Sequence, residues 1–293
     1  SWDFAYGASY RDKFYLGAAL HFSKISASSS TTWEDEFVGA KYVAGFQYAE
    51  TLLTNGSGIA LSLGGIYKVN PSLRLSFALR TPTYYDQMNE TYDARLFPNV
   101  IGIPAIGSTG NPITITKVNP MRLTTNEFTY QFLSPLKVSG GFAFFFSKRG
   151  FLTADLEYVG YGGMKVYSAE LGGSANQAFQ AKYNGQISRN FEGALNVKLG
   201  SEIRVSPSFS VRAGAGMFGG GYAQSYDTID RNALQFSGGI GYRKSNFYLD
   251  LTAIQRTQKD AYTPYTLKNT ADFSSATLDL TTTQFMLGGG IYF

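Results

Sequence analysis

Apolar and polar residues alternate with a period of two along most of the chain. From Leu73 to Arg80 the sequence reads LRLSFALR. In an extended segment this puts Leu73, Leu75, Phe77 and Leu79 on one face and Arg74, Ser76, Ala78 and Arg80 on the other. Leu195, Val197, Leu199, Ile203 and Val205 oppose Asn196, Lys198, Gly200, Glu202 and Arg204 in the same way, and Phe209, Val211, Ala213, Ala215 and Met217 oppose Ser210, Arg212, Gly214 and Gly216. Further stripes run through Ile59, Leu61 and Leu63, through Leu136, Val138, Phe142, Phe144 and Phe146, and through Phe247, Leu249 and Leu251. Helical spacing fits none of these. The pattern predicts about eleven strands, near 2–10, 14–27, 57–68, 72–84, 126–146, 150–166, 189–205, 208–222, 232–243, 246–258 and 277–293.

The face opposite the oily stripes separates two all-β architectures. It carries Arg74, Arg80, Asp155, Glu157, Lys198, Glu202, Arg204, Arg212 and Asp250. A sandwich would leave these charges outside in water and bring the apolar faces together in a dry core. A barrel in lipid reverses this, with oily stripes against acyl chains and charges lining a polar interior, and closure removes the sheet edges that lipid would not tolerate. Long strands, aromatics near strand ends and unequal connections favour the barrel. The fold class is therefore a transmembrane antiparallel up-and-down β-barrel, one domain over 1–293.

Short connections at Arg11-Asp12-Lys13, Val69 to Ser72, Ser147 to Gly150, Ser206-Pro207-Ser208 and Lys244-Ser245-Asn246 alternate with longer stretches near 28–56, 82–123, 167–188, 222–232 and 259–276. Outer-membrane barrels keep short turns on the periplasmic side and long loops outside, which fixes strand direction. The last strand ends in Ile291-Tyr292-Phe293, and a terminal aromatic on an alternating strand resembles the assembly signal of such barrels. First and last strands both point to the periplasm, so the count is odd where single-chain barrels are even. Either the chain lacks strands before Ser1 or one strand is miscounted.

Composition narrows the class further. The 293 residues hold 23 Phe and 21 Tyr, no Cys and one His, with a formal net charge of +4. No apolar run approaches the ~18 residues of a spanning helix, which excludes helical membrane proteins. Aromatic content excludes disorder. Scattered Lys and Arg leave no nucleic-acid footprint. Without Cys or a second His, neither a metal site nor a cofactor is expected.

In order and spacing, IALSLGGIY after Gly56-Ser57-Gly58, LRLSFALRTPTYY, LKVSGGFAFFF with GFLTADLEYVGYGG, and LNVKLGSEIRVSPSFSVRAGAGM cover most of the chain. Together they resemble the FadL/TodX family of outer-membrane transporters for hydrophobic compounds, particularly the form common in Bacteroidota. The resemblance implies fourteen strands, an N-terminal hatch in the lumen and a ligand path toward a lateral wall opening. The hatch and the first three or so strands have no counterpart in this sequence.

The stretch from Thr81 to Thr125 is long for a connection and unusually apolar. Tyr84, Tyr85, Phe97, Ile101, Ile103 and Ile106 are its candidate ligand-binding residues, forming an extracellular capture groove; the plain alternative is a loop that packs on itself over the barrel mouth. The interior charges read as paired ladders across strands or as groups tuning passage of solutes, with Arg74 and Arg80 also able to meet a carboxylate. His21 falls on the face with Tyr15, Gly17 and Ala19. Nothing in the sequence orients it, so no Ser/His/Asp set is assembled and no enzyme is expected. The glycines from Gly214 to Gly219 match a dinucleotide fingerprint by letter, but no helix follows. Asn55-Gly56-Ser57 reads as a tight loop tip. The expected function is passive passage of hydrophobic small molecules such as long-chain fatty acids across the outer membrane of a Gram-negative bacterium, with lipid or lipopolysaccharide around the wall. The rival is a barrel that docks other outer-membrane proteins.

Overall fold

A computed structural model of the chain describes residues 1–146, 149–168, 170–226, 228–263 and 275–292. The strands are β1 (Trp2–Tyr10), β2 (Phe14–Glu36), β3 (Val43–Lys68), β4 (Leu73–Arg80), β5 (Tyr84–Val100), β6 (Ile103–Ile106), β7 (Pro112–Ile115), β8 (Met121–Arg122) and β9 (Asn126–Leu133). They continue as β10 (Leu136–Phe145), β11 (Gly150–Gly160), β12 (Lys165–Ser168), β13 (Gly193–Arg204), β14 (Phe209–Phe218), β15 (Ala233–Arg243), β16 (Phe247–Tyr262) and β17 (Ala276–Ile291), with one α-helix among the described residues, α1 (Gly173–Asn190). Fifteen strands form one antiparallel sheet, and β6 and β7 form a separate hairpin. Three pairs, β4 with β5, β9 with β10 and β11 with β12, are halves of single staves, and β8 is a two-residue addition to β5. Removing those four from fifteen leaves eleven staves among the described residues, each beside its neighbour in sequence. The turns Ser147-Lys148 and most of 259–276, and the terminal Phe293, lie outside the described residues.

The facing follows from register. Phe77, Leu199, Phe236, Ile240, Leu249, Phe285 and Leu287 are all strongly exposed on one face. The other face is concave. Trp33 and Tyr262 both project from it, and the Trp33 indole N–H donates to the Tyr262 hydroxyl at 3.3 Å although β2 and β16 lie at opposite ends of the sheet. Greasy stripes thus face outward around a curled sheet, as a wall in lipid requires. Among the described residues β1 pairs only with β2 and β17 only with β16.

Short turns sit where the sequence placed them, for local reasons. Arg11 and Asp12 both take positive φ, 52° and 51°, the left-handed pair that matches the twist of two antiparallel strands. The Asn70 carboxamide oxygen accepts from the Ser72 and Leu73 amides, and the Ser206 hydroxyl from those of Ser208 and Phe209. At this end the outer face carries aromatic pairs, Phe14 stacked on Tyr67 at 4.7 Å and Phe209 beside Tyr242 at 4.9 Å, as an interfacial girdle.

The long connections differ from the expectation. Most of 28–56, expected as a loop, is the upper halves of β2 and β3, joined by a short turn at 37–42 and paired without a break from Phe14↔Tyr67 to Glu36↔Gly45. Asn55-Gly56-Ser57 is therefore mid-strand, and a Cβ on Gly56 would collide with the Met88 sulfur. Much of the predicted 82–123 loop is β5, paired with β3 and β9. Most of 167–188 is α1, which runs on to Asn190 into the predicted strand 189–205, so that β13 starts only at Gly193. For the two strand segments the reason is the same: above the membrane a strand needs no oily face, so its sequence loses the alternation that marks it.

Candidate functional site

Three neighbouring staves break at one height. Pro82 and Pro135 cannot donate to a ladder, and side chains replace the missing bonds. The Leu61 amide donates to the Thr81 hydroxyl at 3.0 Å, and the Thr83 amide to the Ser134 hydroxyl at 2.7 Å. The third stave passes through a 3-10 turn at Tyr161–Gly163. This belt separates a lower wall with an apolar outer face from an upper wall whose inner face is better covered.

Above the belt an aromatic strip runs up the concave face. Phe128, Tyr130 and Phe132 alternate along β9, on the side that Tyr85 and Met88 occupy on β5. The Tyr85 and Phe132 rings stack at 6.0 Å, with Tyr85 packed over Gly58, where any Cβ would collide with its ring. Phe128 stacks on Tyr130 at 5.8 Å and meets Phe179 of α1 at 5.5 Å, which in turn meets Tyr183 at 4.6 Å. The helix is held there by its own side chains: Asn184 accepts from the Val166 amide and donates to its carbonyl, and Asn176 does the same at Ser168. In this way α1 covers the edge of β12 that no strand pairs among the described residues.

Hydrogen bonds anchor the strip. The Tyr130 hydroxyl donates to Glu90 at 2.8 Å, and the Tyr92 hydroxyl donates to Glu50 at 2.7 Å while touching the Tyr48 hydroxyl at 2.8 Å. Burial and the Glu90 carboxylate push the Tyr130 phenol above its ordinary value. For Tyr92 the hydrogen bond with Tyr48 leads, followed by burial and Glu50.

Of the six predicted groove residues, only Tyr85 joins this strip. Tyr84 and Phe97 point from β5 to the outer face, Ile101 follows that strand, and Ile103 and Ile106 belong to the β6–β7 hairpin. The structure does not bring the six together. Phe128, Phe132 and Phe179 were missed, although Phe128-x-Tyr130-x-Phe132 is an alternating aromatic signal readable in the sequence.

The nine predicted lining charges all occupy the concave parity. Arg212 donates to Glu202 at 2.7 Å and to Asp250 at 2.6 Å, near the short turns. Gly241 makes room for this cluster, since a Cβ there would meet Asp250, Ser210 and Arg212. Arg204 joins Arg212, Glu202 and Asp250 around a cavity of about 100 Å³. Asn196 donates to Glu157 at 2.7 Å, Asp155 is opposite Lys198 in register, Lys198 lies over the Phe218 ring, and Arg74 lies over that of Phe145. Arg80 is opposite Ser62 and Lys137.

His21 shares the inner face with Tyr15, Gly17 and Ala19, and the structure supplies the orientation that the sequence did not show. Its Nδ1–H donates to Asp3 at 2.6 Å, and its Nε2 accepts from the Ser62 hydroxyl at 2.8 Å, the tautomer being set by these partners. The group spans β1, β2 and β3 just beneath the belt. Among the described residues no cluster of His, Asp and Glu could hold a metal.

No family model and no curated protein matches the chain. Solved structures do. A Pseudomonas aeruginosa FadL homologue superposes with a TM-score of 0.62 at 12% identity, over 98% of this chain and 65% of that one. CymD, a monoaromatic hydrocarbon channel, gives 0.54 at 13% identity over 99% and 72%, and the Ralstonia pickettii toluene transporter TbuX gives 0.52 at 13% over 99% and 67%. This chain thus spans about two thirds of each neighbour's length, and none of them supports the narrower Bacteroidota form. With its outward oily stripes, antiparallel up-and-down order and these neighbours, the chain carries the barrel fold of the FadL/TodX type.

Proposed function

We propose that the chain is the wall of an outer-membrane channel through which hydrophobic small molecules pass passively. The observation that carries this reading is the aromatic strip of Tyr85, Phe132, Tyr130, Phe128 and Phe179 on the concave face of a wall whose outer face suits lipid. Burial of apolar surface yields roughly 25 cal/mol per Å², so a few stacked rings can hold an acyl or aromatic ligand at micromolar strength without any polar anchor. The neighbours named for hydrocarbons and toluene support the ligand class. Long-chain fatty acids belong to it, with Arg80 below the strip as a place for their carboxylate. Lipid or lipopolysaccharide surrounds the wall.

The test is uptake of a fluorescent hydrophobic probe by cells carrying the protein in their outer membrane, set against a sugar of similar size. Probe entry rises several-fold and sugar entry does not, and Phe132→Ala with Phe179→Ala removes most of the gain. Equal uptake with and without the protein would sink the channel reading and leave the docking of other outer-membrane proteins as its successor.

A further inference from the structure

The polar pairs on the concave face divide into two kinds. Arg212 is neutralised by Glu202 and Asp250, and Glu157 is bound by Asn196. Asp3, His21 and Ser62 instead form a directional chain: carboxylate, imidazole Nδ1–H, imidazole Nε2, hydroxyl. That is the order in which a carboxylate fixes the tautomer of a general base and the base faces a nucleophile. Both distances, 2.6 and 2.8 Å, lie within the reach such transfers need. The three residues stand on adjacent paired strands, a rigid support, with Asp3 directly opposite His21 in register.

Two further features bear on chemistry. Arg80 is directly opposite Ser62 on the same face and makes no ion pair among the described residues. Facing side chains on paired strands have Cβ atoms about 5 Å apart, so its guanidinium is the cation placed to meet a developing oxyanion at Ser62. Four positions above Ser62 on β3, Gly58 lies under the Tyr85 ring, so the foot of the aromatic strip is roughly 13 Å from the hydroxyl.

We infer that Ser62, His21 and Asp3 hydrolyse carboxylic esters of hydrophobic acids, with the acyl chain on the aromatic strip and the ester carbonyl at Ser62. The Ser62 oxygen attacks the carbonyl carbon as His21 Nε2 takes its proton. Arg80 meets the negative charge on the carbonyl oxygen. Collapse breaks the bond to the alcohol oxygen, which receives the proton from His21, and leaves an acyl ester on Ser62. Water, deprotonated by His21, then attacks that ester, releasing the carboxylic acid and returning the proton to Ser62. No co-reactant beyond water is consumed. This activity departs from the non-enzyme expected from sequence and is independent of whether the chain also conducts.

The experiment is to treat the folded full chain in detergent with an alkyl fluorophosphonate, which phosphonylates activated serines, and to locate the adduct by peptide mass spectrometry. Ser62 is labelled, Ser62→Ala is not, and His21→Asn slows labelling at least ~100-fold. Asp3→Asn slows it and shifts its pH dependence, a change that a merely structural carboxylate would not cause. Ser139→Ala, on the same face, labels at the wild-type rate. Arg80→Gln lowers turnover of p-nitrophenyl palmitate, whose acyl chain is long enough to reach the strip, while leaving its KM within a few-fold. Heat-modifiable migration verifies that each variant is folded. Folded protein that stays unlabelled, an adduct on another serine, or labelling indifferent to His21→Asn overturns the proposal. Hydrophobic-probe uptake by Ser62→Ala is measured in parallel and is expected to be unchanged, which keeps this failure distinct from failure of the channel.

Discussion

β3 passes through two solvents, and its two halves differ accordingly. At the belt and below it, Leu61 and Leu63 are exposed on the outer face while Ser62 and Gly64 occupy the inner one. Above it, the outer positions Gln47, Ala49 and Thr51 are no longer oily, and the inner Tyr48 and Glu50 bind Tyr92. The backbone ladder is the same in both. What changes is which face has to be apolar: in lipid the outer one, in water the inner one, where α1 and the aromatic strip supply cover.

The sharpest way to break this comparison is to place one charge on each outer face. Phe77→Arg lies on the lipid side, where Phe77 is 54% exposed, and should cost about 2–4 kcal/mol and abolish heat-modifiable folding. Gln87→Arg, on the outer face above the belt, should stay within ~0.5 kcal/mol of the parent. Equal tolerance of both would show that the lower wall does not face lipid.

Next in size is the charge cluster near the short turns. Arg212→Met leaves Glu202 and Asp250 without their shared cation at 18% and 27% side-chain exposure and should destabilise by about 1–3 kcal/mol in denaturant titration. Adding Glu202→Gln and Asp250→Asn should recover most of the loss, because the penalty is uncompensated charge and not lost volume. No recovery would mean that Arg212 acts by packing.

A smaller effect separates the aromatic strip from the hairpin. Replacing residues 103–115 by a short Gly-Ser linker should leave β5 intact and probe uptake within about twofold, whereas loss of uptake would return capture to the loop expected from sequence.

The smallest effect concerns the phenols above the belt. Tyr92 and Tyr130 have folded-state values raised above the ordinary ~10, so their stabilisation is complete below that pH and is lost as pH rises through the folded values. Near-ultraviolet absorbance should therefore show tyrosinate from these two appearing last, and Tyr92→Phe, which cannot ionise, should lower the stability of the upper wall near neutral pH while weakening its alkaline dependence. Titration of all tyrosines together would refute the hydrogen-bonded network.

Alternation and turn chemistry determined the eleven staves, their up-and-down order and the outward oily face, because lipid imposes a hydrophobic demand at every second residue of each crossing. The face and parity of Arg74, Arg80, Glu202, Arg212 and Asp250 were legible for the same reason. The upper halves of β2, β3 and β5 were not, since polar strands between water and a covered interior keep no such period, and α1 has no apolar stripe to announce it. Phe128-x-Tyr130-x-Phe132 was readable as a strand face, but not as a partner of Tyr85 and Phe179. Asp3, His21 and Ser62 are far apart in sequence, and only strand register makes them neighbours. Local pattern decides what a strand must show its solvent; which side chains meet across strands depends on pairing and curl, which no single stretch of sequence contains.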